Sequence, residues 1–425
     1  MMTKKLFYYK YNNNTFISEE PLSLDLLEER DEAVASSSFE NLFLVKNSSL
    51  DENRIFYKLN ESNIAKDESL GLINSNIQVT NQIAYPEWVL KAVKAGNAYA
   101  LNMSNPLWFE LLHKKNPNKL TLTLSGLGDV GGTLLLGLRL LGHDCIEKIK
   151  IFDLGEDKIQ RWLYECGQIT SPSFQEMNVK IEKCTEDDLF NCDMFIFCVS
   201  VGVPKIGDEK EDVRMVQYRG NAKVISHYAK LARKSNFKGY FAVVSDPVDH
   251  LCKAALYYSN LDEDGNFDGK GLAPDQITGF GLGVMNARAA FYASQDEKTS
   301  NYMTEGRAYG PHGEGLFIAN SIENYDEDLS QELTFKTKTA NLAVRETGFK
   351  PFIAPALSSG SLSLLAYIRG EWHYSTNFVN GAFFGCRNRN SNGLLELESL
   401  PLNDELYTNL KKTYNSLREF NPNID

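Results

Sequence analysis

An α/β chain built on a doubly wound parallel sheet, followed by an α+β domain and preceded by a small α/β module, is the architecture the sequence predicts. Three observations predict it. From Lys119 onward, short apolar strands alternate with helical stretches. A glycine-rich turn, Gly126-Leu127-Gly128-Asp129-Val130-Gly131, joins the first of these strands to the first helix. Before residue 118 the pattern differs, with short aromatic or apolar runs set between Asn/Ser/Glu-rich turns. Alternation of buried strands with helices implies a parallel sheet covered on both faces, whereas the N-terminal pattern implies a separate mixed module.

In chain order, Lys5–Tyr11, Asn41–Val45 and Arg54–Leu59 read as strands of the first module. Pro86–Lys94 and Pro106–Lys114 read as amphipathic helices with a proline at or near the start. Asn116–Asn118 reads as a hinge. Leu120–Ser125 is then a strand, Thr133–Leu141 a helix and Lys148–Asp153 a second strand, with a third unit through Asn178–Ile181. Asp193–Val201 and Gly239–Ser245 are almost wholly apolar, as strands buried on both faces are. The expected division is 1–117, 118–250 and 251–425.

Composition narrows the function classes. The 425 residues suffice for two or three domains at about 100–200 residues each. With 44 Lys+Arg against 56 Asp+Glu, the formal charge of -12 argues against a basic nucleic-acid face. The longest apolar stretch, near Thr133–Gly142, contains Arg139 and is far below the roughly 20 residues of a membrane span. The opening MMTKKLFYYKYNNN lacks the apolar core of a signal peptide. Seven cysteines with no C-x-x-C pair read as buried small hydrophobes in a reducing cytoplasm, without structural zinc.

The glycine turn carries the first chemistry. Gly126 permits a tight turn, Gly128 lets backbone approach a pyrophosphate, and Gly131 permits close packing of helix on strand. The helix N-terminus then faces the phosphates. Asp153 ends the next strand, 22 residues after Gly131, where a carboxylate binds adenine-ribose hydroxyls and repels a 2′-phosphate. NAD is the expected cofactor.

Four later segments occur in order and together resemble the lactate/malate dehydrogenase family. They are Cys192–Pro204 (CDMFIFCVSVGVP), Val244–Asp249 (VSDPVD, like S-N-P-V-D), Gly279–Arg288 (GFGLGVMNAR, like a stretch ending L-D-S-A-R) and Gly310–Gly315 (GPHGEG, like G-E-H-G-D-S). The resemblance runs roughly from Lys119 to Phe420. It implies a Rossmann fold and an NAD-dependent oxidoreductase acting on a small carboxylate-bearing carbonyl or alcohol, in a homodimer or homotetramer. It further implies that His312 shuttles the proton, Arg288 binds the substrate carboxylate, Arg214 closes on the reacting oxygen, and Asn221 lies at the cofactor. The 204–214 loop is longer than usual and acidic, with Asp208, Glu209, Glu211 and Asp212, and Lys205 stands where many members carry arginine.

Two departures bear on mechanism. The family aspartate that bonds the catalytic histidine falls at Met285, and neighbouring Asn286 is the nearest polar substitute. Asp246 replaces the asparagine of S-N-P-V-D. A carboxylate is thus missing at one position and present at another, where it either partners His312 or binds a cationic substrate group. The alternatives are an oxidoreductase acting on an amine or imine and a catalytically altered, inactive dinucleotide-binding protein. The NAD-dependent glycoside hydrolases, similar in fold, need a metal-binding cysteine and histidine, and no matching pair lies near Ser200–Pro204 or Asp246.

Overall fold

The computed structural model describes residues 5–46, 48–77, 84–170, 172, 179–201, 213–391 and 393–424, without the side chains of 213 and 214. The N-terminal sheet holds β1 (Phe7–Tyr11), β2 (Asn14–Ser18), β3 (Glu28–Arg30), β4 (Asn41–Val45), β5 (Phe56–Lys58) and β6 (Ala98–Leu101), in the order β3-β1-β2-β4-β6-β5. β2, β4 and β6 run parallel, and a hairpin and an antiparallel edge complete a mixed sheet. Of the two helices expected next, the first is present as Glu87–Ala95, closed by the left-handed Gly96, and the second shortens to Trp108–Leu112.

The second sheet contains β7 (Leu120–Ser125), β8 (Ile146–Phe152), β9 (Lys180–Lys183), β10 (Met194–Phe197), β11 (Tyr240–Val243) and β12 (Ile277–Gly279). Their order β9-β8-β7-β10-β11-β12 is that of a doubly wound dinucleotide-binding sheet. β10 and β11 are buried at every residue, because helices cover both faces. On one side Leu122, Leu124, Ile196 and Ala242 meet the helices Asp129–Leu141 and Ser363–Arg369. On the other, Phe195, Phe197 and Phe241 meet Val213–Lys234 and Val248–Ser259.

Two findings differ from the sequence expectation. β12 lies beyond the 118–250 span, and the sheet continues through antiparallel β15 (His373–Val379), β16 (Ala382–Ser391) and β17 (Leu394–Leu397). The hairpin β13 (Arg307–Tyr309) and β14 (Phe317–Ala319) forms a separate two-stranded sheet. The N-terminal sheet also shares a core with the end of the chain. Ile17, Leu42, Leu44 and Val89 belong to one buried cluster with Val379, Phe384, Leu395, Leu406 and Tyr414.

Polar contacts fix the same junction. The Ile55 and Phe56 N–H groups donate to the Asp275 carboxylate at 2.7 and 2.9 Å, and the Arg54 guanidinium lies 3.4 Å from it. Glu68 accepts the N–H groups of Arg54 and Asn380, both at 2.8 Å. Burial pushes the Glu68 carboxyl up to about 7 from 4.5, against the opposing pull of these donors and Arg54. The folded state therefore holds this proton more tightly than the unfolded chain does, so the contribution is full below about 4.5 and lost as pH rises through about 7. Glu68→Gln is expected to gain stability relative to wild type as pH rises across that window, read as the difference in chemical-unfolding midpoints. Parallel midpoints at all pH values would refute it.

Candidate active site

The glycine turn has the geometry expected of a phosphate cradle. Gly126 has φ +97°, and a Cβ there would lie 2.8 Å from the Cys198 carbonyl carbon and the Val199 nitrogen. A Cβ on Gly131 would fall 1.9 Å from the Gly126 oxygen, so only glycine lets the helix start this close to the strand. Gly128 faces open space at the uncapped N-terminus of Asp129–Leu141, which leaves room for a pyrophosphate. Asp129 in that first turn is paired with Lys350 at 2.9 Å.

Asp153 holds the turn from below. Its Oδ2 accepts the Leu127 N–H and its Oδ1 the Gly155 N–H, both at 2.9 Å, and Lys158 lies 3.2 Å away. Burial works against the charge, but these donors outweigh it and hold the carboxyl below its ordinary value. Lys158 reaches both oxygens, at 3.2 and 3.4 Å, and ribose hydroxyls would take the place of that exposed ammonium.

At the carboxyl ends of the parallel strands, the segment after β11 meets the β13–β14 hairpin. His312 sits at the tip of that hairpin, against Gly281, where a Cβ would come 2.8 Å from the His312 Cβ. Its Nδ1 lies 2.8 Å from Asp246 Oδ1. An ionised carboxylate only accepts, so Nδ1 carries the proton and Nε2 is left as the basic or donating nitrogen. Among the described residues, Nε2 has no hydrogen-bond partner.

Asp249 fixes the backbone below the ring. It is 3% exposed, accepts the His312 N–H at 3.2 Å and receives the Thr376 hydroxyl proton at 2.6 Å. Burial pushes its carboxyl up to about 6. Arg288 lies in the same region: burial lowers its guanidinium while the nearby Asp246 carboxylate and Tyr292 oppose the shift. Met285 is 3% exposed, with its sulfur 3.8 Å from Arg288 Nη1, and packs in a cluster with Leu282, Ala289 and Leu333.

Other expectations are redrawn. Asn286 accepts the Tyr302 hydroxyl at 3.0 Å and is not a partner of His312. Asn221, expected at the cofactor, is fully buried: its oxygen accepts the Val201 N–H and its amide donates to the Asp246 carbonyl, both at 2.7 Å. Its amide is consumed in tying the loop after β10 to the loop after β11. The Arg214 side chain and the acidic segment 202–212, with Lys205, lie outside the described residues. Sequence reasoning missed Ser359, which donates to the Gly281 carbonyl at 2.7 Å and accepts the Val284 N–H at 2.8 Å, steadying the turn under His312.

Residues 120–268 match the model of the lactate/malate dehydrogenase NAD-binding domain. Over that span the chain is similar to the NAD-binding domain of lactate/malate dehydrogenases. It is 21% identical over 333 residues to an L-lactate dehydrogenase of Borrelia turicatae, covering 71% of this chain and 97% of that protein. An L-lactate dehydrogenase 2 of Staphylococcus aureus is 24% identical over 226 residues, 52% of this chain and 63% of the relative. In fold it is similar to the malate dehydrogenases of Aeropyrum pernix (TM-score 0.58, 15% identity, 70% of this chain, 96% of that one) and Plasmodium falciparum (TM-score 0.57, 16% identity, 70% and 96%). The matched domain is an NAD-binding one, and the glycine cradle and Asp153 fit NAD. Among the described residues, no helix is long and apolar enough to cross a membrane.

Proposed function

We propose that this protein is an NAD-dependent dehydrogenase that interconverts a small carboxylate-bearing carbonyl compound and its alcohol, with His312 as the proton carrier. The observation that carries this reading is the 2.8 Å contact between His312 Nδ1 and Asp246 Oδ1 at the carboxyl ends of the strands. It restores, from a different position, the carboxylate that Met285 removes. NADH, when bound, supplies the hydride to the carbonyl carbon. His312 delivers its Nε2 proton to the carbonyl oxygen, and Asp246 stabilises the charged imidazolium before transfer and holds the ring in the productive tautomer. Arg288 holds the substrate carboxylate through paired N–H donors, and Arg214 is the proposed second arginine at the reacting oxygen. An amine substrate would need Asp246 for its own cation, and the engagement of that carboxylate with His312 gives the amine reading no separate support.

The test is NADH oxidation against pyruvate, oxaloacetate and phenylpyruvate, followed by Arg288→Lys on the substrate that turns over. Lysine lacks the planar fork, so kcat/KM is expected to fall by about 10²–10³-fold with NADH affinity retained. Failure of every carbonyl acid, or an unchanged kcat/KM in Arg288→Lys, would overturn the assignment.

A further inference from the structure

A cavity of about 300 Å³ lies between the N-terminal sheet and the amino ends of β11 and β12. Its lining includes Phe43, Phe56, Leu111 and Leu112 together with Glu40, Lys114 and Tyr240. Tyr240 opens β11, whereas Asp246 lies beyond that strand's other end, the strand itself spanning about 10 Å at 3.3 Å per residue. The cavity is therefore distinct from the His312 site, and its size falls at the lower end of small-molecule pockets.

Two of its polar lining groups, Lys114 and Tyr240, are donors. The Lys114 ammonium rests 3.7 Å from the centroid of the Tyr240 ring, and among the described residues it has no hydrogen-bond or ion-pair partner. Burial pulls this ammonium down to about 8, partly offset by Asp193 and Cys192, so it remains mostly charged near neutral pH. The Asn116 amide donates to the Tyr240 oxygen at 2.6 Å, which leaves the phenolic proton for an acceptor. That oxygen lies beside Gly393, itself part of the cavity wall. Asp275, the buried acid in the wall, is already engaged by Arg54 and two backbone N–H groups. The Lys114 ammonium and the Tyr240 phenol supply donors, Phe43, Phe56, Leu111 and Leu112 supply apolar surface, and the exposed Glu40 lines the same cavity, so a ligand with one negative charge and an apolar body fits with its charge on Lys114.

We infer that this cavity is a second ligand site, one that takes a monocarboxylate with a flat apolar body, gripped by Lys114 and Tyr240. The test uses phenylacetate and indole-3-acetate as probes, titrated calorimetrically into the full chain saturated with NADH. Both acids are expected to bind wild type and Arg288→Gln and to bind Lys114→Gln at least tenfold more weakly, and neutral phenylacetamide is expected not to bind. NADH binding and the unfolding midpoint should be unchanged in Lys114→Gln. The inference is overturned if neither probe binds, if the amide binds as well as the acid, or if Arg288→Gln abolishes binding while Lys114→Gln does not, which would place the probe beside His312.

Discussion

Asp246→Asn is expected to lower kcat by about 10³–10⁴-fold, by analogy with the loss of the carboxylate from a Ser-His-Asp triad. The asparagine is nearly isosteric, so the loop and the Asn221 bond to the residue's carbonyl persist. What changes is the charge and the proton on Nδ1. A neutral amide neither stabilises imidazolium nor enforces the tautomer that frees Nε2, and both effects act on the chemical step. The loss should therefore appear in kcat, with NADH affinity and the unfolding midpoint near wild type; a residue that merely shaped the loop would move those instead. A kcat within about tenfold of wild type would remove Asp246 from the mechanism and leave His312 without a charged partner.

The second large effect is on stability. Arg54→Met is expected to cost about 3–5 kcal/mol, because it strands a buried carboxylate rather than removing a pair. Arg54 is 2% exposed, Asp275 5% and Glu68 6%. Beyond Asp275, the guanidinium donates to the Phe56 carbonyl at 3.2 Å and to the Phe378 carbonyl at 3.5 Å, so it joins β5 to β15 as well as balancing charge. The double variant Arg54→Met/Asp275→Asn should recover part of the loss, since the uncompensated charge is then absent. Urea unfolding of the three proteins checks this. A single-variant loss below about 1 kcal/mol, in the range of an exposed pair, would contradict the buried-pair account.

The parts of the fold legible in sequence are those where local pattern and burial coincide. Met194–Phe197 and Tyr240–Val243 are apolar throughout because helices cover them on both sides. The glycines at 126 and 131 are legible because no side chain fits there. β12 is three residues long and carries no such pattern. The site is readable in half. Met285 and Asp246 announce that a carboxylate has moved, but its orientation depends on two loops 66 residues apart meeting in space. Asn221 has a family context but no local sign that both ends of its amide are consumed by backbone. In the N-terminal sheet, strands such as Asn41–Val45 are plain, while nothing in their half-apolar faces names the C-terminal residues that cover them.

That shared core imposes an order of events on synthesis. Leu42, Leu44 and Val89 leave the ribosome well before the residues that complete their cluster, from Val379 to Tyr414. The nascent sheet must keep an adhesive face waiting while the dehydrogenase sheet is made. Closing contacts of such sequence separation is slow and leaves the intermediate prone to aggregation. The junction thus makes the segment from Val379 to Tyr414 the step that seals both halves of the molecule.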